Sequence, residues 1–144
     1  MSGIILVRDV MSSPVRTIGA GDSVKDAVRK MNKFRIGCLV VMQGDRPIGI
    51  LTERDIMRDV VEPCVDPSLI RVSDVMSTPI MTIDPAASIE DAARIMSMKH
   101  IKKLPVVEEG RLVGIVTATD LMKSEPELVS ALTDLLSKRY VSSP

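Results

Sequence analysis

The sequence predicts an α+β fold built from two copies of one β-α-β-β-α unit, and three observations predict it. Offset by 65 positions, residues 7 to 59 match residues 72 to 124 without a gap, with 22 identities over 53 positions, which marks an internal duplication. In each copy a serine followed three residues later by an aspartate opens a stretch of helical spacing. In each copy, too, a pair of short apolar runs flanks a polar turn, as the strands of a hairpin do.

The elements follow in order. Each copy begins with a lead segment, "VRDVMSSP" or "VSDVMSTP", and a brief strand at "VRTI" or "IMTI". A helix then starts at Ser23 with Asp26 three residues on, or at Ser88 with Asp91. The runs "CLVVM" and "PIGIL" surround "QGDR", and "LPVV" and "LVGIV" surround "EEGR". The second helix of each copy begins after Thr52 or Thr117, with Ile56 and Met57, or Leu121 and Met122, on its apolar side. The copies are therefore set at 7–61 and 72–124, joined by a linker at 62–71 whose Pro63 and Pro67 discourage helix. Residues 125–144 are predicted as an extra helix with Ser124 as N-cap and Glu127 three residues later. A unit of about 55 residues buries only about 60% of its surface by itself, so the two copies are expected to pack together.

Composition narrows the function. Nineteen basic residues balance nineteen acidic ones, and Phe34 and Tyr140 are the only aromatics. Neither a general attraction to polyanions nor a stacking platform for bases is expected. Cys38 and Cys64 lack metal-ribbon spacing, and the single histidine, His100, excludes a two-histidine metal set within one chain. Cys38 lies in an apolar strand and reads as core packing, as do most of the ten methionines. No nucleophile paired with a base stands out. The longest apolar run is far short of the roughly 20 residues of a membrane span, and the expectation is a soluble, cytoplasmic, non-catalytic protein.

The most informative repeat is "GILTERD" against "GIVTATD". A single T-x-x-D is an ordinary helix start, with Thr at the N-cap and Asp at the third position. Two in register place two helix N-termini at equivalent positions of a pseudo-twofold object, and such termini suit phosphate. An Asp there can accept hydrogen bonds from ribose hydroxyls while the Thr hydroxyl and amides hold phosphate or sugar oxygens. Gly49 and Gly114, just before, permit close approach of a ligand or mark a strand bulge.

Together, the repeated "DVMS-x-P", the G-x-x-T-x-x-D phrase and "LPVV" closely resemble the tandem repeats of cystathionine β-synthase (CBS) domains, the Bateman module, over residues 7–124. The resemblance implies two repeats packed sheet to sheet with pseudo-twofold symmetry, clefts that take AMP, ADP, ATP or S-adenosylmethionine, and pairing into a homodimer. It implies no cofactor beyond such a regulatory ligand. By matched position, Asp55 and Asp120 would bind ribose, and Thr52 and Thr117 phosphate or ribose. Thr17, Ile18, Ile36 and Leu39 in the first copy, with Thr82, Ile83, Ile101 and Leu104 in the second, would line the base pocket. Arg54 beside Asp55, and Lys102 and Lys103 before "LPVV", are the charged candidates for phosphate, although a pair of lysines also suits a solvated loop. Because Gly37 and Cys38 stand where the second copy has these lysines, the two clefts are expected to differ in affinity.

Relatives of this kind are fused to an enzyme, channel or transporter, and here the expected target is a separate effector protein. Three rivals remain. One is a dimerisation module with vestigial clefts. Another is nucleic-acid binding, which the charge balance opposes. The last is metal sensing, for which "EE" at 108 and 109 reads instead as a hairpin turn.

Overall fold

The computed structural model of the 144-residue chain describes residues 3–133 and 135. It is an α+β structure in which the chain forms two compact units, one from Arg16–Ile80 and the other from the residues up to Val15 together with those from Met81 onward.

In the Arg16–Ile80 unit, β1 (Thr17–Gly19) runs parallel to β2 (Cys38–Gln43), and β2 pairs antiparallel with β3 (Arg46–Thr52). The connection from β1 to β2 is α2 (Val24–Phe34). The Ser23 side chain accepts the Asp26 N–H at 3.1 Å, as its spacing predicts, and the helix ends where Arg35 turns left-handed. Val24, Ala27 and Met31 form its buried face and meet Ile18, Leu39, Val41 and Leu51 of the sheet. Thr52 caps α3 (Glu53–Ile56), which widens into a π-helical turn over Met57–Val61.

The other unit repeats this plan. Its lead helix is α1 (Val7–Val10), and α4 (Ile89–Lys99) is capped by Ser88, which accepts the Asp91 N–H at 3.1 Å. A hairpin of β4 (Lys103–Glu108) and β5 (Arg111–Thr117) follows, then α5 (Ala118–Ser124). His100 is the exposed, left-handed residue that ends α4, the counterpart of Arg35. The two hairpins solve the same two-residue turn differently. Between β2 and β3 only Gly44 has positive φ, a type II′ arrangement, whereas Glu109 and Gly110 both have it, as type I′ requires.

Two expectations about single elements change. The "IMTI" strand reduces to an isolated parallel bridge between Ile83 and Val106. In the first copy, strand pairing is extended by Ala20 N–H donating to Met42 O and by Val40 N–H donating to Arg16 O. Pro85 and Pro105 stand at those donor positions in the second copy and have no N–H to give. Ser124 does not open a helix but closes α5. Glu125 is extended, as a residue preceding proline prefers, and Pro126–Leu128 forms a 3-10 turn before the helical residues 129–133. The remainder of the predicted C-terminal helix, 134 and 136–144, lies outside the described residues.

The sequence copies and the spatial units also differ. The lead segment of the first copy packs with the second: Leu6 bridges Ser88, Ser12 bridges Ile115, and Val7 is fully buried in a core with Ile89, Met96 and Leu121. Reciprocally, Ser77 bridges Ile50, and Val72 and Val75 enter the core of the Arg16–Ile80 unit. The 62–71 stretch belongs to that unit as well, since Ile70 O and Pro67 O accept the Val24 and Lys25 N–H groups at the start of α2.

Candidate functional site

The repeated phrase is, first of all, a pair of reciprocal helix caps. Thr52 Oγ1 accepts the Asp55 N–H at 3.1 Å, and Asp55 Oδ2 accepts the Thr52 N–H at 2.9 Å. Thr117 and Asp120 do the same at 3.1 and 3.0 Å. One oxygen of each carboxylate thus accepts a backbone N–H, and the other oxygen is the one the cap leaves wholly available to further donors.

The second oxygens differ. Asp55 Oδ1 accepts from Arg58 Nη2 at 3.1 Å and from Ser77 Oγ at 2.9 Å, and with 3% of its surface exposed Asp55 is the buried charged residue of its unit. Arg58 also binds Asp59 through two bonds of 3.0 Å. The hydrogen bond and charge of Asp59, with a smaller contribution from Asp55, hold the guanidinium above its ordinary pKa, and Arg58 in turn holds the Asp59 carboxyl below the usual range. Asp120 is only half-buried, and among the described residues nothing bonds its Oδ1.

Sheet pairing brings several predicted residues close to each phrase. Thr17 stands opposite Val40, which stands opposite Ile50, and two residues along the same strands Cys38 pairs with Thr52. In the second copy Ile83 N–H bonds Pro105 O, Pro105 pairs with Ile115, and Lys103 pairs with Thr117. Thr17, Ile36, Thr82 and Ile101 are half-buried and retain surface for a ligand. The other four assigned to a base pocket do not: Leu39 and Leu104 are fully buried, and Ile18 and Ile83 nearly so. Their side chains pack in the two cores because each strand points alternate residues inward.

Charge is distributed unequally around the phrases. In the second copy Ala118 N–H donates to Lys102 O at 2.9 Å, so both lysines adjoin the Thr117 cap. In the first copy the equivalent bond runs from Glu53 N–H to Gly37 O at 3.1 Å. The Glu53 carboxylate there fills the space beside Gly37, where an added Cβ would lie 2.8 Å from Glu53 Oε1. Arg54 is exposed on α3.

The glycines have a packing explanation. A Cβ on Gly49 would come 2.8 Å from Met76 Sδ and 3.0 Å from Ser77 O, and one on Gly114 would come 2.5 Å from Met11 Sδ and 3.1 Å from Ser12 O. Both also sit at the register shift between Val41 and Met42, or Val106 and Val107. Close approach is real here, but the approaching group is the lead segment. Arg58 and Ser77 were not legible as partners of Asp55 from the repeat alone. An i,i+3 Asp–Arg spacing signals the first, and nothing local signals the second.

Tandem β-α-β-β hairpin units, each closed by a threonine–aspartate cap, define a class of duplicated α+β domain, and comparison places it. The CBS domain family profile matches residues 7–62 and 72–127, and the chain belongs to that family. It is 33% identical to the CBS domain-containing protein YhcV of Bacillus subtilis over 132 residues, 90% of this chain and 94% of that protein. It is 35% identical to inosine-5'-monophosphate dehydrogenase of Korarchaeum cryptofilum over 121 residues, 83% of this chain but 23% of the enzyme. The crystal structure of the CBS domain protein TA0289 of Thermoplasma acidophilum superposes with a TM-score of 0.83 at 29% identity, covering 96% of this chain and 78% of the other. Among the described residues no helix is long and apolar enough to cross a membrane, and no three His, Cys, Asp or Glu side chains gather as a metal set.

Proposed function

We propose that the chain is a non-catalytic regulatory module that binds an adenine nucleotide or another adenosine ligand, AMP, ADP, ATP or S-adenosylmethionine, at the second copy. Occupancy is passed, in the cytoplasm and from a homodimer, to a separate partner protein. The observation that carries this reading is Asp120: one carboxylate oxygen holds the Thr117 cap, and the other is left for a ribose hydroxyl. Lys102 and Lys103 beside that cap support an anionic ligand. Regulation is supported by the dehydrogenase relative, in which the matched region is a minor part of an enzyme. A ligand acts by its difference in affinity for two conformations, not by binding tightly as such.

The test is calorimetry of the protein with each of the four ligands, repeated on Asp120→Ala. A charge-assisted bond contributes about 1.5 to 3 kcal/mol, so affinity falls by about tenfold or more in the variant. Unchanged affinity removes Asp120 from the site. A second reading, a dimerisation scaffold, is favoured by the engaged state of Asp55 and by Met57 and Val61, both 64% exposed one turn apart. Absence of binding by all four ligands selects it.

A further inference from the structure

We propose that Arg58 and Ser77 close the first T-x-x-D to ligand, so that Asp55 works as a structural acid and the two copies have divided their labour. A ribose acceptor needs a lone pair that is both unused and reachable, and Asp55, 3% exposed, already accepts three hydrogen bonds on its roughly four lone-pair sites: one at Oδ2 from the Thr52 N–H, and two at Oδ1 from the Arg58 guanidinium and the Ser77 hydroxyl. To reach Oδ1, a sugar would have to displace one charged and one neutral donor from a nearly buried group. The matched positions in the second copy are Lys123 and Ser12. There, Ser12 pairs with Ile115 through its backbone, and among the described residues neither side chain bonds Asp120. An independent difference points the same way. Where the second copy carries Lys102 and Ala118, the first carries Gly37 with the Glu53 carboxylate against it, a negative charge at the place where a phosphate would need a positive one.

This inference rests on the adenosine reading for its ligand but not for the clasp itself, and the test separates them. Thermal midpoints and calorimetric affinities for AMP and ATP are measured on the wild type, Asp55→Ala and Asp120→Ala. The expected result is crossed. Asp55→Ala lowers the midpoint by several degrees more than Asp120→Ala and leaves nucleotide affinity within twofold of wild type, while Asp120→Ala loses affinity at least tenfold. If Asp55→Ala does not fold, Arg58→Leu combined with Ser77→Ala takes its place, with the same expectation of a lower midpoint and retained affinity. Equal midpoints for the two aspartate variants overturn the clasp, and so does a tenfold loss of affinity in Asp55→Ala. If neither nucleotide binds any of the proteins, the adenosine reading fails and the midpoints alone decide the clasp.

Discussion

The Ser77 hydroxyl donates to Asp55 Oδ1 at 2.9 Å across 22 residues of sequence, tying the lead segment of the second copy to the helix cap of the first. The contact is reinforced by backbone bonds between Ser77 and Ile50, 2.8 and 3.2 Å long. Ser77→Ala keeps the backbone bridge and removes the side-chain donor. It should lower unfolding free energy by about 1 kcal/mol, measured by urea denaturation, because the net worth of one such bond is of that order. Ser12→Ala, whose hydroxyl has no such acceptor among the described residues, should change stability by less than Ser77→Ala does.

Gly49 and Gly114 are predicted to reject even alanine. The added carbon would press on Met76 Sδ and Ser77 O in one unit, and on Met11 Sδ and Ser12 O in the other. Overpacking of this kind costs about 1 to 3 kcal/mol. The thioether is the flexible member of each pair and the carbonyl is not, so combining Gly114→Ala with Met11→Ala should recover part of the loss in a urea titration, not all of it.

Leu104 and Ile101 provide a test of which residues serve the core. Leu104 is fully buried between α4 and the β4–β5 hairpin, and Leu104→Ala should cost about 2 to 5 kcal/mol. Half-buried Ile101 should cost less. Equal losses by chemical denaturation would contradict the separation of core from pocket.

Acid sensitivity follows from capped and paired aspartates. The Ser88 hydroxyl, and after it the Arg94 guanidinium, hold the Asp91 carboxyl below its ordinary 3.8, and Ser68 does the same for Asp66. A depressed carboxylate contributes stability that is present above the unfolded value and is lost as pH falls through the folded one. The thermal midpoint should therefore decline as pH drops below about 4, and Asp91→Asn should make that decline shallower. Both groups are exposed, so the slope is also expected to weaken in high salt.

Much of this architecture was legible because its signals are local. Ser23 and Ser88 announce their helices through a hydroxyl three residues from an N–H, and the hairpins announce themselves by apolar runs around Gly-containing turns. The caps at Thr52 and Thr117 formed as the T-x-x-D pattern predicts. Other features were obscured by competing local chemistry. The second copy's first strand looked as good as the first copy's, yet Pro85 and Pro105 remove the donors that would extend it. Ser124 looked like a cap, yet Pro126 shifted the break to Glu125.

By itself, the sequence determined the duplication, which is written in residue identities 65 positions apart, and the α+β class, the order of elements and the two threonine–aspartate caps, which depend on residues within a few positions of one another. Only the tertiary structure decided that the lead segments exchange between copies, that Gly49 and Gly114 make room for Met76 and Met11, and that Leu39 and Leu104 belong to cores. It also distinguished two identical motifs. Asp55 and Asp120 have the same local sequence role, and what separates them, besides the Arg58 guanidinium, is whether the hydroxyl of a lead segment distant in sequence comes within hydrogen-bonding distance of Oδ1, as Ser77 does. A pattern of residue types cannot encode that distance, since it is set by how the lead segment packs against the last strand.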